Sequence, residues 1–378
     1  MKLMHLSDLH LGKIVNGFSM LEDQKYILEQ ILSMAEAEKP DGVLIAGDIY
    51  DKRVPAAEAV GVLDGFLTRL ADICPVFVIS GNHDSAERLA FGGELMTAAG
   101  VYLSPVYDGA VRSVELRDEF GPVHIHLLPF VKPVQVRRFF PEAEIANYTE
   151  AVGAALSGID LNDGSRHVLV THQLVTGAQL CDSEELSIGG SENVDAEVFG
   201  GFDYVALGHL HGPQRAGGDH IRYCGTPLKY SFSEIHHRKS VTLVTLGEKG
   251  NTKIETRELQ PMRDLKEIRG TYQELMARSF YQDTDLPESY LHITLTDEED
   301  VPEALHRMRL VYPLIMKLDY DNTRTRSHQN PLDQRVDARQ TPLELFRQLY
   351  ETQNNQPMSQ QQDTFLAKLI ESIWEEEA

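Results

Sequence analysis

The stretch Pro75-Val76-Phe77-Val78-Ile79-Ser80-Gly81-Asn82-His83-Asp84 carries the reading of the chain. Val76 to Ile79 is an unbroken apolar run of strand length, and a carboxamide, an imidazole and a carboxylate follow it side by side. In α/β sheets the carboxyl ends of the strands are where chemistry is placed. A Gly-Asn pair after a strand is by itself only a turn signal. Its weight here comes from matching groups after other strands.

Upstream, Lys2 to Ser7 reads as a short strand that stops at Asp8-Leu9-His10-Leu11-Gly12. Met20 to Lys39 places Leu21, Ile27, Leu28, Ile31, Leu32 and Ala35 at helical spacing, and Pro40 ends it. Gly42 to Ala46 is a continuous apolar strand, as in a parallel sheet covered on both faces, and runs into Gly47-Asp48-Ile49-Tyr50-Asp51. A helix from Ala56 to Leu70 returns the chain to Val76. This alternation is βαβ organisation, so the fold class is α/β.

Downstream, a third helix is expected from Arg88 to Ala99, followed by strands at Val101–Leu103, Val111–Leu116 and Val123–Leu128. A helix from Asn147 to Leu156 leads to the strand His167–Thr171, which ends at His172. The loop Gln173–Val194, with Ser187-Ile188-Gly189-Gly190 in it, has no periodicity of its own and is of the length that usually serves a site. Phe202–Leu207 then ends in Gly208-His209-Leu210-His211-Gly212, and strands at Ile221–Cys224 and Val241–Leu246 close the first unit.

From about Pro261 the character shifts to a charge-rich α+β stretch, with strands at Tyr290–Leu295 and Leu314–Tyr320 and a helix at Pro302–Met308. A polar break, Asn322 to Gln340, precedes two terminal helices. Thr341-Pro342-Leu343-Glu344 has the form of a capping box, and Asp363 is the expected cap of a second helix with Phe365, Leu366, Leu369, Ile370, Ile373 and Trp374 on one stripe. Such stripes dock on their own chain or fold onto a partner's helix or coiled coil.

Asp8 and His10, Asp48, Asn82 and His83, His172, and His209 and His211 all lie just past predicted strands. A parallel sheet brings its carboxyl ends to one edge, so these distant groups can converge there. Nitrogen and oxygen donors without thiolate suit Mn²⁺, Fe or Zn²⁺ better than Mg²⁺ or Ca²⁺. With His83 set aside, the ligands are too many for one ion and suit two that share a carboxylate, with Asp48 as the natural bridge. Two ions roughly 3.5–4 Å apart clamp a phosphodiester for in-line displacement. His83 is then free to contact the phosphate or protonate the leaving oxygen, with Asp84 fixing its tautomer. Taken singly, His10 or His172 reads as a structural histidine, Asp8 or Asp48 as a helix cap, and Asn82 as a turn former. The coincidence at five strand ends favours the metal reading.

Asp8-x-His10, Gly47-Asp48-x-x-Asp51, Gly81-Asn82-His83-Asp84, Thr171-His172 and Gly208-His209-x-His211 resemble, in order, the five blocks of the calcineurin-like metallophosphoesterases. Leu6-Ser7-Asp8-Leu9-His10-Leu11-Gly12 and Gly225-Thr226-Pro227-Leu228-Lys229-Tyr230-Ser231-Phe232-Ser233-Glu234 resemble the SbcD family of bacterial nuclease subunits within it. The resemblance implies a two-sheet αββα core over residues 1–260, a small α+β capping domain over 261–335 and partner-binding helices over 336–378. It implies one metal on Asp8, His10, Asp48 and His211, a second on Asp48, Asn82, His172 and His209, manganese as the ion, and His83 as the catalytic histidine. It also implies DNA as substrate, an SbcC-type ABC ATPase whose coiled coil receives the terminal helices, and a homodimer within a heterotetramer. Asp51 stands where archaeal and eukaryotic relatives carry histidine, which fits a bacterial chain.

The 378 residues include 58 acidic and 35 basic ones, a net charge of -23, which excludes a passive nucleic-acid coat. A DNA substrate then needs metals, a local basic surface or a basic partner to offset repulsion; Lys13, Lys52, Arg53, Arg88 and Lys229 lie near the motif loops. Cys74, Cys181 and Cys224 form no C-x-x-C pair, no run reaches membrane length and the amino terminus lacks a signal-like apolar region, so a cytoplasmic protein without membrane contact is expected. The alternative on the same site is a stand-alone metallophosphodiesterase for small nucleotides.

Overall fold

The computed structural model describes residues 1–182, 184, 192–328, 342–354 and 356–376. Ser187-Ile188-Gly189-Gly190 and Thr341 lie outside them. The chain divides into two compact units, Met1–Asp264 and Leu265–Ala378.

The first unit begins β1 (Lys2–Leu6), α1 (Leu21–Glu38), β2 (Gly42–Ala46), α2 (Ala57–Ala71), β3 (Val76–Ile79) and β4 (Val101–Ser104). It continues through β5 (Arg112–Asp118), β6 (Gly121–Leu128), α3 (Tyr148–Leu156), β7 (Arg166–His172), β8 (Tyr204–Gly208), β9 (Gln214–Arg215), β10 (Ile221–Tyr223), β11 (Ser240–Leu246) and β12 (Thr252–Glu258). One six-stranded sheet has the order β12-β11-β1-β2-β3-β4 and the other β9-β10-β8-β7-β6-β5. In the first, β1 to β4 run parallel while β11 lies antiparallel to β1.

Alternation along the strands explains the layering. Leu3, Leu44, Ala46, Phe77 and Ile79 on one sheet meet Ile125, Leu127, Val168, Val170 and Ala206 on the other in a core that excludes water. The opposite face of the first sheet carries the buried Met4, Val43, Ile45 and Val78, under the buried sides of α1 and α2. The opposite face of the second packs Leu128, Leu169, Val205 and Leu207 on Ala151, Val152, Ala155 and Leu156 of α3. Each such side chain taken from water contributes about 1.5–3 kcal/mol before entropy is counted. The result is the αββα arrangement that the resemblance implies.

Three expectations change. Gathering along the edge of one sheet is replaced by gathering from two: β1, β2 and β3 belong to one sheet and β7 and β8 to the other. The expected helix Arg88–Ala99 is two turns, Ala86–Leu89 and Gly93–Ala98, because Gly92 breaks it at φ 73°. Within the loop after β7, Leu174–Val175 pairs in parallel with Asn193–Val194.

At one end of the sheets the Arg166 guanidinium holds both oxygens of Asp118 and the carbonyls of Gly121 and Gly247, and the amino terminus adds a 2.7 Å bond to Asp118. The Arg166 guanidinium holds the Asp118 carboxyl well below the usual range.

The second unit has a three-stranded parallel sheet of β13 (Leu265–Gly270), β14 (Tyr290–Leu295) and β15 (Ile315–Tyr320). Leu275, Leu291, Ile293, Leu295, Met308 and Tyr312 form its core, and the Tyr312 hydroxyl donates to the Leu275 carbonyl at 2.6 Å. The polar stretch after β15 begins with a helical turn, Thr323–His328, and the rest of the expected break lies outside the described residues. α4 (Pro342–Asn354) and α5 (Gln360–Glu376) follow. Ser359 caps α5, accepting from the Gln362 N–H while Gln362 returns a bond to the Ser359 N–H, so the expected cap Asp363 lies one turn inside and pairs with Arg347. Among the described residues no helix is long and apolar enough to cross a membrane.

Two buried histidines give the fold an acid limit. Burial and the neighbouring His167 and His124 press His126 down to about 4, and burial with Arg222 presses His5 to about 3. Unfolded, both take a proton near pH 6.5, so their contribution is complete above that pH and is lost as pH falls through 6 to 4, by about 1.4 kcal/mol per unit per histidine. His126→Asn is expected to remove about that slope from urea-unfolding free energies measured at pH 7, 6 and 5. A slope equal to the parent's would show that His126 titrates alike in both states.

Candidate metal centre

The chain leaves β1, β2 and β8 through residues with left-handed backbone: Asp8 (φ 53°), His10 (φ 44°), Asp48 (φ 48°) and His209 (φ 107°). Such geometry costs about 1–3 kcal/mol per non-glycine residue and persists only where the surroundings enforce it. Here the Asp8, His10 and Leu11 N–H groups donate to the carbonyls of Gly47, Asp48 and Ile49 at 3.0, 2.9 and 2.9 Å, lacing the first loop to the second. Gln24 of α1 reinforces the lacing from below: its amide donates to the His10 carbonyl at 2.7 Å and its oxygen accepts from the Gly12 N–H at 2.9 Å. Two glycines make the approach feasible. A Cβ on Gly81 would lie 2.1 Å from Asp48 Oδ1, and one on Gly208 would lie 1.8 Å from the Ala46 carbonyl oxygen of the other sheet.

Nearly all the predicted side chains are brought together. His10, Asp48 and His83 offer donor atoms within 4.8 Å of one another, as do Asp8, Asp48 and His172, so Asp48 belongs to both groups. Asn82 Oδ1 lies 2.9 Å from His172 Nε2 and 3.0 Å from His209 Nδ1. His211 stands beside His10, ring centres 5.1 Å apart. Asp48 Oδ1 accepts from the His83 N–H at 3.0 Å, and Oδ2 lies 3.4 Å from His172 Nε2 and 3.7 Å from His10 Nε2.

The tautomers follow from what each ring nitrogen faces. His172 Nδ1 points at the Ala46 carbonyl, 2.9 Å away, so it carries the hydrogen and turns the Nε2 lone pair toward Asn82 and Asp48. That leaves a nitrogen and two oxygens, all acceptors, facing one another across about a hydrogen-bond length. Asp8 Oδ2, both nitrogens of His10 and Nε2 of His209 are buried with no hydrogen-bond partner. A buried cluster of acceptors is costly unless a cation sits among them, so the donor set fits divalent metal ions and the hard, nitrogen-tolerant ones in particular.

The carboxylates draw positive charge to this point, and a proton on His172 Nε2 meets that demand as a cation would. Burial opposes charge on His172, yet the Asp48 and Asp8 carboxylates outweigh it and lift the imidazolium to about 9. Burial likewise opposes charge on Asp48, but His172, His10 and His83 hold its carboxyl well below the usual range. Asp8, where burial prevails, is pushed up to about 6, and burial presses His209 down to about 3.

Asp84 does not reach the His83 ring. Its carboxylate accepts from the N–H groups of Ile49, Tyr50 and Gly81, at 3.1, 3.0 and 2.9 Å, and so clamps the loops after β2 and β3 together. His83 Nδ1 instead faces the Asp51 carbonyl at 3.2 Å. The Asp51 carboxylate takes Lys13 at 2.7 Å, and Lys229 pairs with Asp264 at 2.9 Å, so neither lysine is a loose charge.

Several supporting residues were not among the predicted site residues, although Thr226, Tyr230 and Glu234 fall within the stretch Gly225–Glu234. His211 Nδ1 faces the buried Glu234 carboxylate at 3.4 Å, and Lys239 Nζ joins Glu234, Thr226 Oγ1 and the His211 carbonyl at 2.5, 2.7 and 2.8 Å. Tyr230 donates to the Leu9 carbonyl at 2.8 Å. Gln24 had a signal in the sequence: it is a polar residue on the apolar face of α1, in line with Leu21, Leu28 and Ile31.

The calcineurin-like phosphoesterase family model matches residues 1–213, and a model described as the type 5 capsule protein repressor C-terminal domain matches residues 261–354. The chain is 32% identical over its whole length to the SbcD subunit of the nuclease SbcCD from Staphylococcus epidermidis, all of which is covered. It is 31% identical, again over its whole length and 99% of the relative, to the protein of the same name from Staphylococcus saprophyticus. Among solved structures it is similar to a dimetal phosphatase from Danio rerio, at 13% identity and a TM-score of 0.41 over 68% of this chain and 96% of that one.

Gly81→Ala must displace Asp48, the residue common to both groups. The variant is expected to keep its circular dichroism spectrum while losing about 10–100-fold in Mn²⁺ affinity by titration calorimetry, the usual cost of disturbing a ligand's support. Parent-like affinity would show that the close approach of Gly81 to Asp48 is dispensable.

Proposed function

The chain belongs to the calcineurin-like phosphoesterase family, in the branch of the SbcD nucleases, and on that premise we propose that it is the nuclease subunit of an SbcCD-type complex, hydrolysing DNA phosphodiester bonds with two divalent cations. The observation that carries the reading is that Asp48 belongs to both candidate groups, His10–Asp48–His83 and Asp8–Asp48–His172, which divide the residues differently from the ligand sets of the resemblance but share the same carboxylate. In this reading one cation is held by Asp8, His10, Asp48 and His211 and the other by Asp48, Asn82, His172 and His209, with Mn²⁺ as the ion. When bound, the pair lowers the pKa of water and stabilises charge on the entering and leaving oxygens.

The protein's own residues supply position and a proton. With Nδ1 turned to the Asp51 carbonyl, His83 keeps Nε2 for the phosphate and, in this reading, protonates the leaving oxygen. The backbone N–H of His83, held on Asp48, fixes the ring against His10, with centres 4.9 Å apart. Asp84 acts as a positioning residue through the three amides it gathers.

Residues 261–335 act as a capping domain, and the helices of 336–378 dock on the coiled coil of an SbcC-type ABC ATPase, which makes cleavage ATP-dependent. Supporting this, Phe346, Leu349 and Phe365 on α4 and α5 are 46, 48 and 70% exposed. Two copies form a homodimer within a heterotetramer; Phe91 and Leu95, 85 and 80% exposed, support an apolar contact there. The products are those of a double-strand exonuclease and a single-strand or hairpin endonuclease, serving DNA repair, recombination and replication in the cytoplasm.

The test is co-purification with the ATPase followed by Mn²⁺-dependent cleavage of DNA with free and blocked ends. His83→Ala is expected to lower kcat by about 10²–10⁴ while metal content by mass spectrometry stays at the parent's level. Intact DNA from the parent complex would overturn the nuclease reading. Truncation after Gln340 is expected to abolish ATPase capture; retained capture would place the interface elsewhere, and unchanged small-ester turnover with no partner at all would favour the stand-alone phosphodiesterase.

A further inference from the structure

One residue beyond His211, Gly212 lines a cavity of about 370 Å³ together with Gln179, Gln214, His236, His237 and Arg238. Its walls are fixed. The Gln214 amide donates to the Gln179 carbonyl at 2.8 Å and the Gln214 oxygen accepts from the Gln179 N–H at 2.8 Å, stapling one wall to the other. The His237 ring lies against Gly212, where a Cβ would stand 3.1 Å from Cε1. Lys239, on the same run, holds the His211 carbonyl at 2.8 Å, so the basic stretch is tied to the backbone of a candidate metal ligand.

The chemistry of the lining is one-sided. No carboxylate lines this cavity among the described residues, in a chain whose net charge is -23. His237 Nδ1 is buried with no hydrogen-bond partner, and the exposed Arg238 and His236 form neither hydrogen bond nor ion pair among the described residues. By contrast Lys13 and Lys229, two of the lysines near the motif loops, are already paired with aspartates. A guanidinium presents a planar fork that matches two phosphate oxygens, and an imidazole adds a third donor.

We propose that this cavity is a phosphate subsite for the DNA backbone, in which Arg238 and His237 hold a phosphate away from the scissile bond and seat the strand against the metal centre. The inference rests on the nuclease reading and gives the acidic chain a local cation surface for its polyanionic substrate. Binding there is electrostatic and independent of base sequence.

The experiment uses the full-length chain with its ATPase partner and compares the parent with Arg238→Gln, Arg238→Lys and His237→Ala. Anisotropy of a fluorescein-labelled duplex, measured in a His83→Ala background with Mn²⁺, is expected to show about 5–20-fold weaker binding for Arg238→Gln and a log–log salt slope smaller by about 1, with most of the slope restored by Arg238→Lys. In steady-state cleavage the rise in KM for DNA is expected to exceed any loss on bis(p-nitrophenyl) phosphate at least about fivefold, since the small ester has no second phosphate. His237→Ala is expected to follow in the same direction, more weakly.

A parent-like salt slope and KM in Arg238→Gln would overturn the subsite while leaving the nuclease reading intact. Equal losses on DNA and on the small ester would overturn it too, by tracing the effect to the metal centre. A parent that hydrolyses the ester but neither binds nor cuts DNA would bring down the nuclease reading and this inference with it.

Discussion

A carboxylate buried among imidazoles is the constraint around which the first unit is arranged. Asp48 is 2% exposed, and its oxygens lie within reach of His172, His10 and the His83 N–H. An uncompensated charge at that depth would be prohibitively costly, so every group that touches it must be held in one place. The left-handed backbone at Asp8, His10, Asp48 and His209 follows from that demand. So do Gly81 and Gly208, where any side chain would strike Asp48 or the opposing Ala46.

The support spreads outward in rings of hydrogen bonds, each closing the polar groups that the previous one leaves open. Asp84 collects three backbone amides from two loops, and Gln24 collects the carbonyl and amide of the first loop. Glu234 and Lys239 neutralise one another while fixing the ring and the carbonyl of His211. Each of these residues holds backbone or a side chain of the candidate site in place. Their burial means that removing one partner strands the other's charge, at about 3–5 kcal/mol for a pair such as Glu234 and Lys239.

Two sheets facing one another serve this purpose better than one. A single parallel edge spreads its loops along a line, whereas stacked sheets bring Ala46 at the end of β2 against His172 and Gly208 at the ends of β7 and β8. The apolar layer between the sheets fixes their separation, and the donors of both then close around the same point. At the other end Arg166 and Asp118 tie the amino terminus to the second sheet, so register is held at both extremities.

The residue types and the places where strands end were legible from the sequence, because period and punctuation are local properties. Asp8, His10, Asp48, Asn82, His83, His172, His209 and His211 stand past strands whose apolar runs announce them, and the alternation with α1 and α2 announces the α/β class. What the sequence could not express is distance between parts of the chain far apart in order. Whether one sheet or two gathers the donors, whether Asp84 meets His83 or three amides, and that Ser359 rather than Asp363 caps the last helix all depend on three-dimensional packing or on competition between neighbouring caps. Local chemistry chose the donors, and tertiary packing alone chose their company, because burial and acceptor geometry come into being only when the two sheets close on each other.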